Sequence, residues 1–152
     1  MTPFCMSKRV TYLDYIRQSV KQLVEKYKTN DPYRLAQEMG IDVDEFPFRR
    51  IKGLILEIAG KVTIVLNSNL PAWLKRVILA HELGHRQLSP RGAGYFFLAE
   101  HTLMESRVEY EANRFTVELI TWDEKPELNE TLEQFAARVG LPVDMMRYKV
   151  IK

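Results

Sequence analysis

The sequence predicts one α+β domain over residues 1–152, with a small sheet of three or more strands, antiparallel or mixed, packed against helices. Three observations carry this reading. Residues 11–28 space their apolar side chains as a helix does, residues 43–67 hold three short β-rich runs, and helical spacing returns from residue 71 onward. With 152 residues the chain is long enough to bury a core of its own. Its 46% hydrophobic and 28% charged composition is that of a folded chain rather than a disordered one. No repeat, low-complexity segment or linker divides it.

The first helix, TYLDYIRQSVKQLVEKYK, aligns Leu13, Ile16, Val20, Leu23 and Val24 on one face. A short second helix fits DPYRLAQEMG, with Asp31 as N-cap, Pro32 in the first turn and Gly40 as the stop. VDEFPF, KGLILEIAG and KVTIVLN read as strands, the last two joined by a tight turn at Ala59 and Gly60. A central helix then runs from Pro71 to about Leu88. SPRGAGYFFLAEHT (89–102) begins as a loop and continues as an apolar segment that could form another strand. A long helix is expected from about Leu103 to Ile120. A C-terminal helical pair follows, ETLEQFAARVG and PVDMMRYKVI, hinged at Gly140, Leu141 and Pro142.

A net charge of +2 is too small to argue for nucleic acid or an anionic membrane as the main partner. Cys5 is the single cysteine, so no intramolecular disulfide can form, and any metal must be bound by histidine and carboxylate. MTPFCMSKRVTYLDY lacks the apolar core of a signal peptide, and no run approaches the roughly 20 apolar residues that span a bilayer. The expectation is a soluble, cytoplasmic protein.

The chemistry concentrates in VILAHELGHRQLSP. At about 100° per residue, Leu74, Val77, Ile78, His81, His85 and Leu88 fall on one face of the central helix, with Glu82 at its edge. One histidine on such a face is most often a satisfied core residue. Two at i and i+4 project side by side, at the separation at which one Zn²⁺ takes two of its ligands. A carboxylate beside that metal, Glu82, can take a proton from water and later hand it to a leaving amine. Gly84 sits inside the motif despite a helix cost of about 1 kcal/mol, so something is expected to pack closely there.

Catalytic zinc usually takes three protein ligands. The extended pattern HExxHxxGxxH is excluded, because its glycine and third histidine positions hold Leu88 and Arg91. His101 lies in an unpatterned segment, where a surface histidine is the commoner case. On the long helix, Arg107, Glu111, Arg114 and Glu118 alternate in sign as a solvated ladder of ion pairs does, which assigns Glu111 to the surface. The opposite flank carries Glu105, Glu109, Asn113, Thr116 and Ile120. Glu109 is the preferred third ligand and Glu105 the alternative. Asn113, one turn on, is placed to accept a hydrogen bond from a ligating imidazole.

NSNLPAWLKRVILAHELGH followed by VEYEANRFTVELI resembles the ImmA/IrrE family of zinc metallopeptidases, over roughly residues 50–120. The resemblance implies a compact gluzincin-like, zincin-type domain with His81, His85 and Glu109 as zinc ligands and Glu82 as catalytic base. It implies a cytoplasmic endopeptidase, encoded by a mobile element or stress-response system, that cleaves a DNA-binding repressor. Many members continue HELGHxxLH and place alanine after the EAN-x-F phenylalanine; this chain has Ser89 and Thr116 there.

If KVTIVLN is an exposed edge strand, a substrate segment could pair with it beside the metal. Tyr95, His101 and Tyr110 are the candidates for stabilising the oxyanion. The rival function is a zinc-containing regulatory module that sequesters a repressor without cutting it. Glu82 opposes it, since a purely structural site has no use for a base. A helix-turn-helix in QFAARVGLPVDMMRYKVIK is also disfavoured: Val143, Met145, Met146, Val150 and Ile151 make a packing surface rather than one that reads bases.

Overall fold

A computed structural model describes residues 12–88 and 106–149. Helix α1 spans Tyr12–Tyr27 and α2 Pro32–Glu38. Strands β1 (Asp42–Phe46), β2 (Gly53–Ile58) and β3 (Lys61–Asn67) follow, then helices α3 (Ala72–Leu88), α4 (Arg107–Ile120) and α5 (Leu132–Val139), and a 3-10 helix at Val143–Tyr148. Ser89, Tyr95, His101 and Glu105, together with the further strand expected before residue 103, lie outside the described residues. Among the described residues, no helix is long and apolar enough to cross a membrane.

The local signals act as their chemistry requires. Asp31 caps α2 by accepting from the Tyr33 amide, with Pro32 in the first turn. Ala59 and Gly60 both adopt positive φ, which matches a tight two-residue turn to the twist of the β2–β3 hairpin. Thr131 and Gln134 form a reciprocal capping box on α5, and Gly140 closes it in the left-handed conformation.

The sheet is mixed, with strand order β1-β3-β2. β1 runs parallel to β3 and β2 antiparallel to it. KVTIVLN is therefore the central strand and not an edge. Its sequence is consistent with that place: Val62, Ile64 and Leu66 are buried, and both sides of its backbone are engaged. The alternation that identified it as a strand reports the faces of a sheet and is silent on its neighbours.

Helix α3 is central, as expected, but its most buried side is not the one that carries the histidines. Leu79 and Leu83, on the far side of the helix, are fully buried, whereas Leu74, Ile78 and Leu88 are half-buried. The helix is enclosed from several directions, so one apolar stripe does not define its core face. Ile78 lies so close to β2 that a Cβ on Gly53 would stand 2.6 Å from its Cγ2, which places β2 against the histidine-bearing side.

Two expectations for α4 change. The helix starts at Arg107 rather than near Leu103, because Ser106 is its N-cap, in extended backbone conformation and accepting from the Glu109 amide at 3.2 Å. The charged flank does pair, Arg107 with Glu111 at 3.1 Å and Arg114 with Glu118 at 3.0 Å. It is not uniformly solvated: Arg114 and Glu118 are buried, and the Glu111 side chain, expected at the surface, is only 13% exposed. The cause is the chain's return, since the 3-10 helix packs over this flank and Arg114 Nη1 donates to the Tyr148 carbonyl at 2.6 Å. The C-terminal pair thus joins the core through Phe135, Ala136, Leu141, Met146 and Tyr148, although its second member is one 3-10 segment rather than an α-helix.

Candidate metal centre

Helices α3 and α4 build the site between them. Their separation is set at Gly84, where an added Cβ would lie 2.9 Å from Cδ1 of the fully buried Phe115. Glycine lets the α4 phenylalanine lie against the α3 backbone, which brings α4 within reach of the α3 histidines. This close approach is the packing that the glycine inside HELGH foretold. Gly84→Ala should gain helix propensity yet lose stability, because Phe115 has nowhere to move. We expect a net loss of about 1–2 kcal/mol, read as a fall in Tm of roughly 2–8 °C; an unchanged or higher Tm would contradict the close-contact reading.

Across that contact His81 Nε2 lies 3.0 Å from His85 Nε2 and 3.1 Å from Glu109 Oε2, and His85 Nε2 lies 2.9 Å from Glu109 Oε1. The two rings meet edge-on, 4.6 Å between centroids. The two imidazole nitrogens and the two oxygens of one carboxylate thus converge on a common centre, each of these contacts between 2.9 and 3.1 Å. Ligands at zinc bond lengths of about 2.0–2.1 Å on a tetrahedron are separated by roughly 3.3–3.4 Å. The observed contacts are a few tenths of an ångström shorter, a difference that small side-chain rotations can supply. Two neutral imidazoles and a carboxylate are suitable donors for zinc or another divalent ion. Among the described residues, His81, His85 and Glu109 form the one such group that could hold a metal.

Glu111 stands apart from this cluster, paired with Arg107. Asn113, one turn beyond Glu109, hydrogen-bonds His81, as its spacing predicted. Tyr110 sits on α4 with its ring against that of Tyr148, centroids 5.5 Å apart.

The electrostatics follow from burial and proximity. Burial opposes the charge on Glu109, but hydrogen bonds from His81 and His85 and their positive charge outweigh it and hold the carboxyl at about 2. Burial also works against a charged His81, yet the Glu109 hydrogen bond, the charges of Glu82 and Glu109, and Asn113 together raise its pKa. Glu82 moves the other way from Glu109. Burial lifts its pKa, Glu109 adds to the rise, and the two histidines only partly oppose it. Its Oε2 is buried with no hydrogen-bond partner among the described residues. A buried carboxyl with a raised pKa, beside two imidazoles, is suited to taking up and returning a proton.

Two contributors escaped the sequence reading. Ser106 was legible in principle, since S-x-x-E at 106–109 is a helix-start signature. Tyr148, whose hydroxyl accepts from Asn113 Nδ2 at 3.3 Å, had no local signal at all.

Comparison with known proteins identifies the family. The model of the peptidase family Peptidase_M78, described as IrrE N-terminal-like domain, matches residues 36–150. An uncharacterized immunity region protein 2 of Bacillus phage phi105 is 36% identical over 140 residues, covering 88% of each chain. Metallopeptidase ImmA of Bacillus subtilis (strain 168) is 26% identical over 145 residues, covering 89% of this chain and 83% of its own. The family match takes in α3, α4 and the terminal segment that packs on them, and this chain therefore belongs to the ImmA/IrrE family of metallopeptidases.

Proposed function

We propose that the protein is a zinc-dependent endopeptidase with a zincin-like fold. It cleaves a DNA-binding transcriptional repressor in the cytoplasm and so regulates a mobile element. The observation that carries this reading is the convergence of His81, His85 and Glu109 beside a buried Glu82. An immunity-region relative from a phage and a metallopeptidase relative from a bacterium support the setting.

His81, His85 and Glu109 would hold the zinc. When bound, it supplies a Lewis acid that acidifies water and polarises a peptide carbonyl. Glu82 takes the proton as the water oxygen attacks the carbonyl carbon, and returns it to the amide nitrogen as the C–N bond breaks. Burial suits it to both halves of that transfer. Asn113 orients His81, and the packed helices keep the ligands in place.

With β3 in the centre of the sheet, the strand offered to a substrate is β2. It lies at one end of the strand order, with Gly53 against Ile78 and Glu57 paired with Arg86 at 2.8 Å on the metal-bearing helix. An extended substrate segment would pair with β2. Tyr95, His101 and Tyr110 are the candidates for the oxyanion.

The test is to incubate the zinc-loaded protein with the repressor encoded beside it, with and without chelator, and to measure intact masses. Two fragments that appear only without chelator are expected. An uncut repressor in both conditions would favour a module that binds and sequesters its partner.

A further inference from the structure

The last turn of the described chain connects to the metal centre through hydrogen bonds. Tyr148 is 3% exposed, and its hydroxyl oxygen accepts from Arg147 Nη2 at 2.7 Å and from Asn113 Nδ2 at 3.3 Å. The Asn113 side chain also hydrogen-bonds His81. An asparagine amide can turn over by half a rotation and exchange its donor and acceptor ends. Only one orientation puts an acceptor against an imidazole N–H, and a partner that takes the NH₂ end selects it.

We propose that Tyr148 is a positioning residue for the metal centre, its hydroxyl fixing the Asn113 amide so that the amide oxygen holds the His81 ring with Nε2 free for a metal. This rests on the metal-site reading under Proposed function. His81 Nε2 points at His85 and Glu109, which leaves Nδ1 as the nitrogen that the amide can hold as N–H. A neutral imidazole protonated there offers Nε2 as its lone pair.

Tyr148 is itself held firmly. Its carbonyl accepts from Arg114 Nη1, and that guanidinium is paired with Glu118 inside the protein. Lys149 Nζ donates to Thr121 Oγ1 at 2.8 Å, so the chain on the other side of the tyrosine is tied to the end of α4. The buried ion pair on the α4 flank therefore acts as the anchor of the segment that delivers the hydroxyl. Docking of the C-terminal segment and readiness of His81 are coupled.

The experiment is a zinc titration of the metal-free protein against a chelating chromophore, for Tyr148→Phe in the wild-type and in an Asn113→Asp background. Phenylalanine keeps the ring and its packing on Tyr110 and removes only the hydroxyl. Aspartate has no donor end to misplace, so it needs no tyrosine to orient it. Tyr148→Phe should weaken zinc binding by about 3- to 10-fold in the wild-type background, less than the roughly 10–100-fold typical of a direct partner of a ligating histidine. In the Asn113→Asp background it should change binding by less than about twofold, the non-additivity expected of coupled residues. Equal losses in both backgrounds would mean that Tyr148 only packs, and no loss in the wild-type background would mean that the hydroxyl is idle; either overturns the inference. His85→Ala is the control for the underlying reading. It should lose zinc by about 100-fold or more, and a His85→Ala protein that binds as wild type would overturn the metal centre and this inference together.

Discussion

Glu82→Gln is expected to slow cleavage of the substrate by about 10²–10⁴-fold while zinc affinity stays within a few-fold of wild type. Glutamine preserves the size and nearly the shape of the side chain but cannot carry a proton from water to the leaving nitrogen. The Glu82 carboxyl is buried, its Oε2 has no hydrogen-bond partner among the described residues, and burial raises its pKa, so ionisation of this group is what the variant removes. It is not one of the three side chains that converge as the proposed ligands, so the metal should stay. The measurement pairs fragment yield over time with metal content of the same protein preparation. A variant that loads zinc and still cleaves within tenfold of wild type would remove Glu82 from the mechanism, and one that loses zinc would assign it a place among the ligands.

The second large effect separates two glutamates two residues apart. Glu109→Ala should weaken zinc binding by about 100-fold or more, and activity at limiting zinc should fall with it. Both oxygens of Glu109 face imidazole nitrogens, and those contacts hold its carboxyl at about 2. Glu111→Ala should leave zinc binding within about twofold. Its described pairing is with Arg107, whose side chain is 77% exposed against 13% for Glu111, and a pair open to solvent on one side contributes little, about 0–1 kcal/mol. Titration of both variants against the same chelator decides the matter. The reverse result, loss with Glu111→Ala and retention with Glu109→Ala, would refute the proposed ligand set.

The helical wheel of α4 put these glutamates on different flanks, and the structure sets Glu109 and not Glu111 against the histidines, but the argument was partly mistaken. Alternating signs along Arg107, Glu111, Arg114 and Glu118 were read as a solvated ladder, and the ion pairs do form. Arg114 and Glu118 are nevertheless buried, because the 3-10 helix at Val143–Tyr148 covers that flank. A charge pattern records which side chains can pair along one helix, and it carries nothing about an element that arrives thirty residues later. The mistaken edge for β3 has the same origin. Both faces of KVTIVLN were legible from its residues, but which strands flank it depends on where the chain turns back.

Local spacing by itself determined the elements with strong periodicity or strong caps, the pairing of His81 with His85, the nearness of Glu82, and the need for close packing at Gly84. These depend on interactions within about one helical turn, or on a glycine whose only advantage is its missing side chain. Three matters were decided by the tertiary structure alone. They are the approach of α4 that brings Glu109 between the histidines, the order of the strands, and the Tyr148 hydroxyl on Asn113. Each joins residues far apart in the chain, and a contact of that kind is fixed by how whole elements pack on a shared core.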